Sequence, residues 1–363
     1  MRRLLKYLRS VSANRTGAVP RPSWCTYLVT FRCNARCGFC DSWKKPRGRE
    51  LTVDEVDSLF ARIGQLDVVR LSGGEPFLRK DLPGLARAVL RRSDPLVIHV
   101  TTNGSMPAMV RRFVDAFPKP ARLRFMISFD GLEEEHNRSR GPAVTYRKAM
   151  ETVSMLAEMG RTHGCGVSTN HTVVTPQGMR DHRELRRRLS AIDVDMQTVL
   201  AYSDSGMYGS GREERSSDDL IIEGGYPLHP NLEDADTVGF IDDEIAQTAE
   251  IRSVPLRFGK RYYLRGLRER LAGERAACAP RCVALRSHLR LMPDGSAPVC
   301  QFNTATIGNL ADNDFDAVWK GKKAEAMRRW VDRCPGCWAE CEAVPNALYT
   351  GDMLASLMRR PSR

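Results

Sequence analysis

The chain of 363 residues carries 56 Lys and Arg against 44 Asp and Glu, a net charge of +12, and its 42 % hydrophobic and 28 % charged residues are those of a folded globular protein with length for two domains. Disorder is thereby excluded, no run of about 18 apolar residues offers a transmembrane helix, and Met1–Ser10 lacks the apolar core of roughly 7–15 residues that a secretory signal needs. The expected location is cytoplasmic, and in a reducing compartment eleven Cys, an odd number, point to metal binding or chemistry rather than to disulfides.

Residues 1–22 read as a basic amphipathic segment. In Met1-Arg2-Arg3-Leu4-Leu5-Lys6-Tyr7-Leu8-Arg9 a helix separates Leu4, Leu5 and Leu8 from the cations. Such a helix either rests on an anionic membrane surface through residues 1–10 or packs its leucines on the body of the protein. Other cations are scattered, as in Arg183, Arg186, Arg187 and Arg188, with no interleaved aromatics, so no nucleic acid partner is expected.

Residues 23–205 alternate short apolar runs with amphipathic ones. Strands are expected at Trp24–Thr30, Val68–Ser72, Val97–Thr101, Arg124–Phe129, Gly166–Val173 and Met196–Ala201, each followed by a helix. The helix after the first strand begins at Thr52 with Glu55 three residues on, a capping box. Six strand–helix repeats define an α/β protein with a parallel sheet; periodicity leaves open whether that sheet curls toward a barrel. Either way the working loops lie at the carboxyl ends of the strands. Residues 206–245 form a Gly-, Ser- and acid-rich loop and the start of a bridging helix. Residues 246–345 make a second unit, Cys-rich from Cys278, with a hairpin turn at Pro293-Asp294-Gly295. Residues 346–363 are a C-terminal tail.

Cys33-Asn34-Ala35-Arg36-Cys37-Gly38-Phe39-Cys40 follows the first strand directly. Three thiolates in one loop can hold three irons of a cubane, which normally takes four Cys ligands, and the open fourth iron marks a catalytic centre. Zinc with a remote fourth ligand, or three core cysteines, are the plainer alternatives. This CxxxCxxC, with Phe39 before its third Cys, resembles the signature of the radical S-adenosylmethionine (SAM) enzymes. The resemblance implies a partial (β/α)6 TIM-like barrel, a 4Fe-4S cluster whose open iron chelates SAM, and a reductant of the flavodoxin or ferredoxin type. It also implies SAM contacts at Phe39, at Gly74 and Glu75 of Gly73-Gly74-Glu75-Pro76, at Asn103 of Thr101-Thr102-Asn103-Gly104, and at Ser128 of Ser128-Phe129-Asp130-Gly131. Glu75 would offer an anion to the SAM amino group, Arg140 (with Arg138 as the alternative) would fork onto its carboxylate, and Asn170 would reach the ribose.

The second cluster holds Cys278, Cys282, Cys300, Cys334, Cys337 and Cys341. Cys, a dozen residues, Gly, four residues, Cys resembles the SPASM and twitch auxiliary-cluster domains. That resemblance implies a second 4Fe-4S cluster on Cys282, Cys300, Cys334 and Cys337, with Cys278 and Cys341 as alternative ligands and zinc as the alternative metal. Six cysteines are too few for two fully ligated cubanes. Cys25 and Cys165 read as core residues, with Cys165 also weighed as a hydrogen-atom donor to a product radical. No catalytic residue beyond the cluster stands out, and His171, Tyr202 and Tyr226 are the guesses for the substrate side.

Three functions are compatible with this reading: radical chemistry on a small metabolite, sugar or lipid; maturation of a ribosomally made peptide; and non-enzymatic electron transfer. Only about twenty-three residues precede the first strand, too few for a leader-peptide-binding domain. A pure electron carrier would not need the segments at Glu75 and Arg140. The GTP cyclase of molybdenum-cofactor synthesis is set aside because the chain ends Arg359-Arg360-Pro361-Ser362-Arg363 rather than in Gly-Gly, and because of its wider Cys282-to-Cys300 spacing.

Overall fold

A computed structural model describes residues 2–203, 207–208, 226–251, 253–274 and 279–356. Helix α1 (Arg2–Thr16) leads into six strand–helix units: β1 (Trp24–Thr30), α2 (Val53–Ile63), β2 (Val68–Gly73), α3 (Leu82–Ser93), β3 (Val97–Thr102), α4 (Pro107–Asp115), β4 (Leu123–Phe129), α5 (Glu133–Arg140) and α6 (Tyr146–His163), β5 (Gly166–Val173), α7 (Pro176–Ser190) and β6 (Asp195–Leu200). Each expected strand is present within a residue or two. Thr52 caps α2 as expected: its hydroxyl accepts the Glu55 amide at 3.3 Å while the Glu55 carboxylate accepts the Thr52 amide at 2.7 Å.

The chain continues with α8 (Thr237–Gln247), α9 (Val254–Leu271), β7 (His288–Leu291), β8 (Ser296–Pro298), β9 (Thr306–Asn309), α10 (Phe315–Trp319), α11 (Lys322–Arg333), α12 (Glu340–Thr350) and α13 (Asp352–Ser356). The turn expected at Pro293-Asp294-Gly295 is present, closed by the Met292 amide on the Ser296 carbonyl at 2.8 Å and the Gly295 amide on the Met292 carbonyl at 3.1 Å, but the strands on either side of it take their ladder partners elsewhere. β7 leaves the second unit to pair in parallel with β1, and β8 pairs antiparallel with β9.

The main sheet therefore has seven parallel strands in the order β6-β5-β4-β3-β2-β1-β7, one more than the repeats imply. β1 to β6 lie side by side in sequence order, β7 adds beyond β1, and the two edge strands β6 and β7 do not pair, so this is a partial barrel whose mouth lies at the strand carboxyl ends. Tyr27, Val69, Leu71, Val100, Phe125 and Ile127 project outward into the core beneath the helices. The alternate positions face the lumen, and several are polar: Arg70, His99, His288 and Arg290.

Helices α8 and α9 pack on Val173 and Leu200 at the open edge of the sheet. Glu244 of α8 anchors them there: it takes a hydrogen bond from Thr198 at 2.7 Å, pairs with His182 at 2.8 Å and pairs with Arg186. Burial alone would raise this carboxyl, but His182, Arg186 and Thr198 hold it down to about 2. A carboxyl whose folded value lies below its ordinary 4.5 stabilises the protein fully above that pH and loses its contribution as the pH falls toward 2. We expect Glu244→Gln to flatten the fall in urea midpoint below pH 4.5 while lowering the midpoint at neutral pH.

Candidate active site

The mouth of the barrel is built around the loop that follows β1. Gly74 donates its amide to the Thr30 carbonyl and Glu75 to the Arg32 carbonyl, both at 2.8 Å, so the turn after β2 is zipped to the start of the cysteine loop. This approach requires glycine. A Cβ on Gly73 would stand 2.1 Å from the Thr30 oxygen, and one on Gly74 would stand 2.2 Å from the Arg32 oxygen. The cysteine loop is pinned across the mouth by Asn103, whose side-chain amide donates to Asn34 at 2.8 Å, and by the Arg36 amide on the Arg140 carbonyl at 2.9 Å.

Cys33, Cys37 and Cys40 line one side of a cavity of about 220 Å³, with Phe39, Gly74, Asn103, Ser128, Arg140 and Asn170 on its other walls. Six of the seven residues expected to contact SAM thus share one cavity with the three thiols. Arg140 rather than Arg138 faces it: Arg138 is exposed and pairs with Glu135, whereas Arg140 is buried against Asp130. Arg140 keeps its Nε without a partner, and Asn170 likewise keeps its Oδ1, both buried in the wall. A buried donor and a buried acceptor left open in this way fit a bound ligand that supplies both partners.

Glu75 is the exception. Expected at the SAM amino group, it is fully buried off the cavity wall, accepting from the Phe77 amide at 3.1 Å, the Thr102 hydroxyl at 2.8 Å and the Asn103 amide at 2.8 Å. It joins the turn after β2 to the turn after β3. Removing the carboxylate strands three buried donors, each costing roughly 1–3 kcal/mol. We therefore expect Glu75→Ala to lower urea stability by several kcal/mol and to weaken SAM binding, as read by equilibrium dialysis.

The chemistry of the cysteines fits a cluster. Burial pushes Cys33 up to about 11 and Cys37 up to about 12, and raises Cys40 too, because a lone thiolate here is costly. Backbone amides of Ala35 and Ser42 aim at the Cys33 and Cys40 sulfurs, which favours the thiolate once a cationic iron replaces the proton. Among the described residues no three His, Cys, Asp or Glu side chains converge on a single-ion site.

A second cavity of about 190 Å³ lies in the C-terminal unit, and Cys282, Cys300, Cys334 and Cys337 all line it. Each of these sulfurs also receives a backbone amide: from Ala284, from Phe302 and Asn303, from Gly336 and from Ala339 respectively. Cys341 differs. It is absent from this wall, its thiol donates to the Gln301 amide oxygen at 2.7 Å, and Arg290 stands 3.7 Å from its sulfur. Cys278 lies outside the described residues. Trp338, with φ +51°, wedges the Cys334–Cys341 segment against α9, where the missing side chain of Gly266 makes room: a Cβ would meet the indole at 2.1 Å.

The structure also brings in residues that the sequence reading missed. Glu340 is the one carboxylate on the wall of the first cavity among the described residues, held by Arg70 of β2 at 3.2 Å, and Tyr208 lines the same wall. Next to it, Glu342 pairs with Arg290 and accepts from His288 at 2.9 Å; burial would raise it, yet these cations hold it down to about 2. The only sequence signal was the acidic spacing around Cys341. Of the substrate-side guesses, Tyr202 lines the first cavity and accepts from Gln301 at 2.7 Å. Tyr226 is spent on the Leu200 carbonyl at 2.6 Å, and His171 faces the helix layer, 2.7 Å from His182. Cys165 precedes β5 at its amino end, in the core and opposite the mouth, which removes it as a hydrogen donor to anything bound there.

The chain matches the Radical SAM superfamily over residues 27–189 and the SPASM iron-sulfur cluster-binding domain over residues 282–341. The chain thus carries a radical SAM domain followed by a C-terminal SPASM unit, and these domains imply a 4Fe-4S cluster with SAM and auxiliary iron-sulfur. Its curated relatives include a GTP 3′,8-cyclase of Rhodopseudomonas palustris, 29 % identical over 51 % of this chain and 54 % of that protein. They also include the Fe-coproporphyrin III synthase of Methanosarcina barkeri, 24 % identical over 85 % of this chain and 79 % of that one. A GTP 3′,8-cyclase of Aquifex aeolicus is 30 % identical over 36 % of this chain and 43 % of its own, so the chain spans about half the length of the cyclases it matches. In fold it is similar to native anSMEcpe with bound AdoMet, with TM-score 0.59, 17 % identity, and 93 % and 96 % of the two chains covered. Streptococcus suis SuiB bound to S-adenosylmethionine gives 0.57, 15 %, 88 % and 70 %.

Among the described residues no helix is long and apolar enough to cross a membrane.

Proposed function

We propose that this protein is a radical SAM enzyme acting on a small molecule, a sugar, metabolite or lipid, in a biosynthetic pathway, with an electron supplied by a flavodoxin- or ferredoxin-type partner in the cytoplasm. The observation that carries this reading is the single cavity holding three cysteines, the open Arg140 Nε and the open Asn170 Oδ1. A reduced 4Fe-4S cluster held by Cys33, Cys37 and Cys40 would supply the electron for reductive cleavage of SAM, and the cleaved SAM would supply the means of taking a hydrogen atom from the substrate.

The chain's own residues bind and orient. Cys33, Cys37 and Cys40 would hold three irons; Arg140, fixed by Asp130, would place the carboxylate of SAM; Gly73 and Gly74 let the methionine end lie against backbone; Asn170 would bond the ribose. Glu340, Tyr202 and Tyr208 are left at the part of the wall facing the C-terminal unit, where substrate would enter.

The test is anaerobic incubation of reduced enzyme and SAM with the small-molecule filtrate of a cell extract, reading 5′-deoxyadenosine. Stimulation that survives protease treatment of the extract supports a small-molecule substrate. Stimulation found only in the retained fraction and lost on proteolysis would replace it with a peptide or protein substrate.

A further inference from the structure

Helix α1 does not bury its leucines. It docks through its other face: Tyr7 donates to the Leu348 carbonyl at 3.1 Å, and Asn14 reaches Ser287 at 2.7 Å and the Tyr349 carbonyl at 2.8 Å. Leu4, Leu5 and Leu8 are left 61, 47 and 52 % exposed. Of the two sequence expectations, packing the leucines on the body is therefore the one corrected, and a well-anchored helix presents an apolar ridge to solvent.

The ridge lies on the end of the barrel opposite the mouth. Arg3 bonds Asp94 at 2.8 Å, and Arg122 bonds the other oxygen of the same carboxylate, so the first turn of α1 meets the α3–β3 and α4–β4 turns at the amino ends of the strands. Leu96, 52 % exposed, stands in one of those turns. This end is also where α2, α3, α4, α6 and α7 finish, and each carries a basic residue in its last turn. Arg91, Arg92 and Arg112 are exposed there, the first two sharing Asp57, with Lys119 in the adjoining turn and Arg124 at the start of β4. Of the acids on the same end, Asp94 is engaged by Arg3 and Arg122 and Asp115 lies 3.5 Å from His163, while Asp193 and Asp195 at the start of β6 are exposed.

We propose that this end of the barrel docks on an anionic phospholipid surface, with Leu4, Leu5, Leu8 and Leu96 entering the headgroup boundary and the helix-end arginines meeting the phosphates. A leucine ridge set among cations is the composition such a surface selects, whereas a second copy of the chain would have to meet the same positive charge. In this pose the mouth points away from the lipid, so its substrate arrives from solution.

The test uses the full-length, cluster-loaded protein in sedimentation with vesicles of phosphatidylglycerol and phosphatidylcholine, or of phosphatidylcholine alone. Binding is expected only with phosphatidylglycerol, and should be released by high salt. The triple variant Leu4→Ser, Leu5→Ser, Leu8→Ser should lose at least about tenfold in partitioning, with iron content, circular dichroism and SAM cleavage unchanged. Failure to bind phosphatidylglycerol vesicles overturns the proposal. So does undiminished binding by the triple variant, or a dimer in sedimentation equilibrium that the triple variant dissolves.

Discussion

Cys37→Ala should leave no detectable 5′-deoxyadenosine when the reduced protein is given SAM. Cys37 is the central ligand of the loop and the most buried of its three cysteines, 8 % exposed. Its loss leaves Cys33 and Cys40 without a replacement, since no other thiol among the described residues lines that cavity. Removing a residue that merely supports a metal ligand typically costs 10–100-fold, so losing the ligand itself should cost more than about a hundredfold. The fold should survive, because Cys37 makes its packing contacts in a small satellite cluster with Ala35 and Val144 rather than in the main core. Unchanged 5′-deoxyadenosine formation by a correctly folded variant would remove the radical SAM reading altogether. Loss of SAM cleavage with the auxiliary iron retained is the specific pattern required.

The second large effect is on iron content. Anaerobically prepared protein should carry about eight irons and about eight sulfides, the sum of two cubanes. Cys300→Ala or Cys337→Ala should bring this to about four and should also destabilise the C-terminal unit, whose buried cavity then loses the group that fills it. Cys341→Ala should keep about eight, because its thiol donates to Gln301 instead of receiving a backbone amide. Four irons in Cys341→Ala would place that cysteine in the ligand set, and four irons with zinc in the unmodified protein would remove the auxiliary cluster.

What the sequence disclosed, and what it hid, follows from the range of the forces involved. Strands β1 to β6 were legible because their core-facing positions are apolar and they alternate with amphipathic helices, a pattern fixed locally. β7 was not, because His288-Leu289-Arg290-Leu291 reads as polar; its charges are tolerable only through Glu342, which lies more than fifty residues away in sequence. The cysteine ligands were legible from spacing, since a loop of fixed length can present only certain sulfurs together. The direction of Glu75 was not: whether a carboxylate faces a cavity or the backbone beside it depends on where Thr102 and Asn103 fall. The exposed leucines of α1 could be found by periodicity, but only the docking of Tyr7 and Asn14 decides which face is covered.

Cys337 and Glu340 are three residues apart, yet each borders a different cavity. The short stretch between them, wedged by Trp338, is a partition shared by two rooms, and it cannot shift for one without shifting for the other. A shift of this partition at one cavity is expected to be felt at the other, and such a linkage runs both ways with equal strength. Stripping auxiliary iron first with a chelator should loosen SAM at the distant wall, and SAM in place should slow that stripping.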